Sequence, residues 1–210
     1  MRIMNPSFLS PCFPWILWRG PKDVREIFLT FDDGPDARST PRLLDTLDRL
    51  DARATFFLTG SNLPGNENLV RRAHDSGHVL GNHGRFHRTM AARPMRSIEG
   101  EIRWTQDRLN GLAPVSAFFR PPFGRFDGRF RGLMNRLGMV MAMWSLMTYD
   151  YSETDGRRLS GRVQNKIHNG AVIVFHDRED SGPVMLEALA DLIPALRKRG
   201  FRFATLKERI

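Results

Sequence analysis

Two adjacent carboxylates, Asp32 and Asp33, follow the apolar run 27–31 and lead into Gly34-Pro35. Side by side at the end of a buried run they would repel each other, so a metal or a basic partner is expected beside them. The plain alternative is a turn, because Asp-Gly-Pro is ordinary turn chemistry. His83 and His87 lie four residues apart, a spacing that on a helical turn puts both imidazoles on one side, as in helical zinc sites. Alone, such a pair is also what a solvated face carries. With Asp33 it makes three protein ligands, the number that leaves a catalytic metal open to water and substrate. Asp32 then stays free to take a proton from the attacking water, and Arg120 offers it a charge partner, unless that pair is a structural salt bridge. His176 ends the run 171–175, where a neutral imidazole bonded to backbone would be ordinary. Asp150 supplies the sharper expectation: a carboxylate that fixes the ring and raises its pKa into the range of a general acid. The chemistry these residue types add up to is metal-assisted hydrolysis.

Something must bring those positions together. Seven short apolar runs, at 27–31, 54–58, 78–81, 117–119, 139–144, 171–175 and 201–205, alternate with segments of helical period, the pattern of parallel strands joined by helices. Thr40 is expected to cap a helix with Pro41 at its first position and Leu43, Leu44, Leu47 and Leu50 on one face. Gly77, Gly111, Gly138, Gly170 and Gly200 each fall where a helix should stop, and Pro194 should kink the last one. Periodicity leaves a closed barrel and an open doubly wound sheet equally open, and both put ligand chemistry at the C-terminal ends of the strands. The polar clusters at 32–35, 82–83, 120–124, 145–150 and 176–177 all follow such runs, so they should converge on one face.

The 210 residues suit one domain spanning 1–210 better than two, since domains commonly run about 100–200 residues. With 41% hydrophobic and 26% charged residues, disorder is excluded. The single cysteine, Cys12, excludes an internal disulfide. A net charge of +9 favours anionic partners, including an anionic cell-envelope polymer. Nucleic acid is not favoured, because the charges are scattered and no basic-aromatic module is evident. No stretch reaches the roughly 18 apolar residues of a membrane span. The apolar segment 8–18 is broken by Pro11 and Pro14 and closed by Arg19, so a folded segment is expected rather than a signal peptide, and a cytoplasmic location is favoured with the cell envelope as the alternative. Oligomeric state is not indicated.

These motifs resemble those of the polysaccharide deacetylases of carbohydrate esterase family four. Thr30-Phe31-Asp32-Asp33-Gly34-Pro35 is similar to the first family motif, in which the first Asp is the base and the second binds metal. His83-Gly84-Arg85-Phe86-His87 resembles the second, with two metal ligands, although Gly84 stands where Ser or Thr is usual. Arg120-Pro121-Pro122-Phe123-Gly124 resembles the third, implying that Arg120 steadies the base and that the Phe123 backbone N–H faces the oxyanion. The segment from Trp144 to Tyr151 resembles the fourth less closely: Met147 replaces an Asp and Tyr151 a Trp, while Asp150 keeps the place of the acid's partner. Ile173-Val174-Phe175-His176-Asp177 is similar to the fifth, with His176 as the acid.

The resemblance covers about residues 13–206 and implies a distorted seven-stranded β/α barrel. It implies hydrolysis of an N-acetyl group, less often an O-acetyl group, on a carbohydrate or sugar-containing conjugate. Asp32, Arg120, Asp150 and His176 would be catalytic, Asp33, His83 and His87 would hold the metal, and Phe123 and Tyr151 would meet the substrate. Zinc is the expected metal, and cobalt or nickel fit the same ligands. Two alternatives stay open: an amide or imide hydrolase of a small molecule, recognisable by a closed pocket rather than a groove, and an inactive glycan-binding module.

Overall fold

The structure, a computed structural model, describes residues 9–206. Phe8, the first residue of the N-terminal apolar segment, and both ends of the expected 1–210 domain lie outside the described residues. At the centre is β1 (Glu26–Asp32), buried along its whole length, which is why its sequence reads as an almost unbroken apolar run. Around it stand β2 (Thr55–Leu58), β3 (Val79–Asn82), β4 (Phe118–Phe119), β5 (Val140–Met141), β6 (Leu146–Met147) and β7 (Ala171–His176), all parallel in the order β5-β4-β3-β2-β1-β7-β6. Short β8 (Arg202–Phe203) pairs with the start of β1. The sheet curls into an incomplete, distorted barrel rather than opening into a doubly wound plane.

Side-chain alternation divides the sheet into two apolar clusters. Ile27, Leu29 and Phe31 of β1 pack with Leu43, Leu44 and Leu47 of α1 (Ser39–Arg49) and with residues of α2 (Glu67–Asp75), α5 (Gly156–Gln164) and α6 (Gly182–Lys198). Phe28 on the alternate face joins Phe57, Val172 and Val174, together with α3 (Met95–Asn110) and α4 (Phe130–Leu137). Each fully buried leucine of α1 is worth about 1.5–3 kcal/mol. The same alternation puts Thr30 and Asp32 on the Phe28 face, and Asp32 pairs in register with His176 on β7. Two catalytic candidates 144 positions apart in the chain thus sit on neighbouring strands at the same height.

Three local expectations are corrected. The run at 139–144 is not one strand: β5 ends at Met141 because the next two carbonyls, of Ala142 and Met143, are taken by the Arg120 guanidinium (2.9 and 2.8 Å). The segment 9–18 completes this edge, with Leu17 N–H donating to the Met141 carbonyl (2.9 Å) and Ile16 and Trp18 buried. Helix α1 begins at Ser39, not after a Thr40 cap; Asp36 Oδ1 accepts from the N–H groups of Arg38 and Ser39 (2.8 Å each), and Thr40 turns its hydroxyl to Asp177. His83 and His87 stand on an irregular loop, not a helix. α6 runs through Pro194. No helix among the described residues is long and apolar enough to cross a membrane.

Candidate active site

The polar clusters expected at the C-terminal ends of the strands do converge there. Asp32, at the end of β1, is buried, and its Oδ1 accepts from Arg120 Nη1 at 2.7 Å. Arg120 is fully buried and spends its remaining donors on the Thr30 hydroxyl (2.8 Å) and the two β5-edge carbonyls, with its plane over the Phe57 ring. A buried arginine satisfied on every side is a rigid, permanently charged support, and it holds the Asp32 side chain in one orientation.

Asp33 is the opposite case. It sits at φ 76°, a left-handed conformation uncommon for a residue with a Cβ, so its side chain leaves the strand in a different direction from that of Asp32. The turn is held by Asn62 Nδ2 donating to the Asp33 carbonyl (2.8 Å), Thr59 N–H to the Gly34 carbonyl (2.7 Å) and Asp177 N–H to the Asp32 carbonyl (2.8 Å). A Cβ at Gly34 would lie 2.6 Å from Asp177 Oδ2, so any larger residue would displace that buried carboxylate. Both carboxylate oxygens of Asp33 are buried without a hydrogen-bond partner, although His87 Nε2 and His83 Nε2 stand 3.1 and 3.4 Å from Oδ1.

That combination is a fit test for a cation. His83 Nδ1 lies 2.8 Å from the Arg120 carbonyl, an acceptor only, so Nδ1 carries the proton and Nε2 presents a bare lone pair to Asp33. Burial pulls the His87 pKa down despite the charge of Asp33, favouring the neutral imidazole that binds metal. Burial would raise the Asp33 pKa, but the close approach and charge of His83, then the charges of His87 and His176, outweigh it and hold the carboxyl well below the usual carboxylate range. Two lone pairs and a carboxylate, all within 4.8 Å of one another, face a common point that a divalent cation would relieve. The loop geometry behind this depends on Gly84, at φ 80°, where a Cβ would meet the Met90 methyl at 2.4 Å. Asn82 Oδ1 accepts from the Gly84 N–H (2.8 Å).

Across the barrel mouth, His176 Nδ1 is 2.7 Å from Asp150 Oδ1, and Asp150 Oδ2 accepts from the His176 N–H at 2.8 Å. Burial lowers the His176 pKa, but the hydrogen bond and charge of Asp150, then Asp32 and Asp33, outweigh it, so the net direction is up. The Thr148 hydroxyl, 3.0 Å from Asp150 Oδ1 and 2.7 Å from the Val174 carbonyl, steadies the pair from below. Tyr151 meets the His176 ring edge-on at 4.9 Å, and Phe123, itself at φ 60°, lies 4.3 Å from the His87 ring. Phe86, Phe123 and Tyr151 are the exposed large hydrophobic residues among the described ones, and all three belong to the segments that form the site.

All nine residues expected from the sequence therefore meet at one end of the barrel. Thr30, Asn62, Thr148 and Asp177 were not expected in supporting places. Asp177 is buried with Oδ2 2.5 Å from the Thr40 hydroxyl, and burial pushes its pKa up to about 7. Two cavities, of about 420 and 730 Å3, share Asp33, His87 and Arg178, so the cleft runs to both sides of Asp33.

A curled parallel β/α barrel with a candidate Asp-His-His cation centre, flanked by an arginine-held carboxylate and a carboxylate-held imidazole, defines the class: an α/β-barrel protein equipped for metal-assisted hydrolysis. The sequence pattern of the polysaccharide deacetylase family matches residues 19–142, and the chain belongs to that family. A peptidoglycan-N-acetylglucosamine deacetylase of Bacillus cereus is 34% identical over 92% of this chain and 73% of its own length. A solved peptidoglycan N-acetylglucosamine deacetylase, in complex with an N-hydroxybenzamide, superposes with a TM-score of 0.91 at 31% identity, over 97% of this chain and 96% of that one. A family four acetyl xylan esterase from Clostridium thermocellum, in complex with a cobalt ion, gives a TM-score of 0.80 at 33% identity, over 87% and 88% of the two chains.

Proposed function

We propose that this chain, as a single catalytic domain, is a metal-dependent deacetylase that removes N-acetyl groups from an acetylated amino-sugar polymer. The observation that carries the proposal is the bare Nε2 of His83, fixed by the Arg120 carbonyl, facing the unpartnered carboxylate of Asp33. Asp33, His83 and His87 would hold a divalent cation, zinc on this reading, which supplies Lewis-acid polarisation of the acetamido carbonyl and of the attacking water.

The other steps fall to the chain's own groups. Asp32 takes the water's proton, and Arg120 at 2.7 Å holds its carboxylate in place for that transfer. The Phe123 N–H stabilises the developing oxyanion. His176, protonated and aligned by Asp150, gives its proton to the departing amine from Nε2, since Nδ1 is engaged at 2.7 Å. Phe123 and Tyr151 flank the sugar. The cleft open on both sides of Asp33 suits a polymer better than a small amide or imide, and the net charge of +9 suits a polymer that carries negative charge, as in a cell envelope. The relatives, by their names, act on peptidoglycan and on xylan.

Acetate release from a panel of acetylated glycans, with bound metal measured beside it, tests the proposal. The wild-type protein should bind about one divalent ion and release acetate from an N-acetylated glycan, and His83→Ala with His87→Ala should abolish both. Full metal occupancy in the double variant would refute the site assignment.

A further inference from the structure

We infer that Glu101 is a positioning residue for His87: from helix α3 it anchors the loop that carries this imidazole, by pairing with the next residue in the chain, Arg88. The inference deepens the deacetylase proposal and rests on it for the role of His87 as a ligand. The two candidate ligand histidines are held unequally. His83 follows directly on β3, and its Nδ1 is fixed by the Arg120 carbonyl at 2.8 Å. The His87 ring has no such bond among the described residues; beyond its approach to Asp33 it stands against the rings of His83 and Phe123. A histidine that binds metal ordinarily has its second nitrogen oriented by a hydrogen-bond partner. Here the chain around His87 must supply that orientation instead.

That stretch of chain is bonded at its two ends. Upstream, the Gly60 and Ser61 N–H groups donate to the Gly84 and Arg85 carbonyls (2.9 and 2.7 Å), and downstream the Ala92 N–H donates to Asp127 Oδ2 (3.0 Å). Between them, no backbone group of residues 86–91 bonds to another element among the described residues. Side chains hold the interval. Met90 is fully buried with Ile98 and Ile102 of α3, which sets the depth of the loop three residues past His87. Arg88 is adjacent to His87, and its Nη2 donates to Glu101 Oε1 at 2.5 Å. Arg93 Nη2 donates to the same oxygen at 2.6 Å and to the Ser97 hydroxyl at 2.9 Å. Glu101 is buried, whereas Arg88 is half exposed. Burying a carboxylate is costly unless it is paired. Burial would raise the Glu101 pKa, but the hydrogen bonds and charges of Arg93 and Arg88 outweigh it, so the net direction is down. No residue of α3 lines either cavity beside Asp33, so contact with substrate does not account for an acid buried there.

The test titrates the metal-free protein with cobalt(II) and records the visible absorption of the bound ion, which reports the ligands around it. Glu101→Gln keeps the volume of the side chain and removes its charge. Arg88→Gln breaks the same contact from its exposed side, where folding is not at stake. Each should weaken cobalt binding by about tenfold and alter the absorption band at saturation. The double variant should lose little more than either single one, because both changes act on one contact. Unchanged affinity and band in both variants would overturn the inference. So would a loss confined to Glu101→Gln, which would mark a support of the fold rather than of His87. If the wild type bound no cobalt, the metal assignment would fall instead, and proton NMR of the metal-free protein would decide the inference. The His87 ring resonances, displaced by the Phe123 ring 4.3 Å away, should move toward those of free histidine in both variants; unchanged resonances would refute it.

Discussion

Two buried histidines stand at opposite ends of the same sheet, and their environments have been pushed in opposite directions. His78 precedes β3 at the N-terminal end; its Nδ1 accepts from the Ala54 N–H at 3.2 Å and its Nε2 is buried without a partner. Burial, helped by the charge of Arg53, lowers its pKa to about 4. His176 closes β7 at the C-terminal end and is as well buried, yet Asp150 turns its shift upward. The residue type and the depth are the same. What separates a packing histidine from a candidate acid is chiefly one carboxylate, with the charges of Asp32 and Asp33 behind it; Asp150 is itself fully buried and fixed by the Thr148 hydroxyl and the His176 N–H.

Removing that carboxylate should make His176 behave like His78. Asp150→Asn is expected to lower acetate release by about 10²-fold or more and to move the alkaline limb of the pH–rate profile to lower pH, because a less basic imidazole loses its proton earlier. An unshifted limb would break the comparison.

At the other end the consequence is stability. His78 stays neutral in the folded chain down to about pH 4, whereas the unfolded chain takes up the proton near 6.5. Its contribution is therefore fully present above pH 6.5 and is lost as pH falls toward 4, amounting to up to about 3 kcal/mol. Urea denaturation at pH 7 and pH 5 should show a smaller acid-induced loss in His78→Gln than in the wild type. An equal loss in both would contradict the prediction.

The smallest effect is expected at Met147, a half-buried residue on the cavity wall. Because Asp150 already pairs with His176, Met147→Asp should leave acetate release within roughly tenfold, or about 1.4 kcal/mol. A larger change in either direction would mean that Met147 shapes the substrate site.

The parts of this arrangement that were legible in the sequence are those that burial imposes on composition. β1 and β7 read as apolar runs because both faces are covered, and their polar ends stood out against that background. β6 was not legible: two residues, Leu146 and Met147, carry no period. The break after β5 depends on a distant arginine claiming carbonyls, which no local pattern records. The four-residue spacing of His83 and His87 was meaningful, but it is realised on a loop with Gly84 at positive φ. Asn62 and Thr148 escaped notice because each acts through a hydrogen bond to a distant backbone carbonyl, that of Asp33 and of Val174, and nothing in their neighbours' chemistry announces it.

The central claim is that neighbouring Asp32 and Asp33 divide the work, one as base and one as ligand. Their surroundings differ as that requires: Asp32 is paired to Arg120 at 2.7 Å, whereas Asp33 has two buried, unpartnered oxygens. The most direct test measures bound metal and acetate release on Asp32→Asn and Asp33→Asn in one buffer. Asp32→Asn should keep its metal and lose at least ~10²-fold in turnover, since the amide cannot accept the water's proton. Asp33→Asn should lose metal and activity together and recover part of both in excess metal. Metal lost from Asp32→Asn and retained by Asp33→Asn would reverse the two roles, and unchanged turnover in both variants would contradict the hydrolase account altogether.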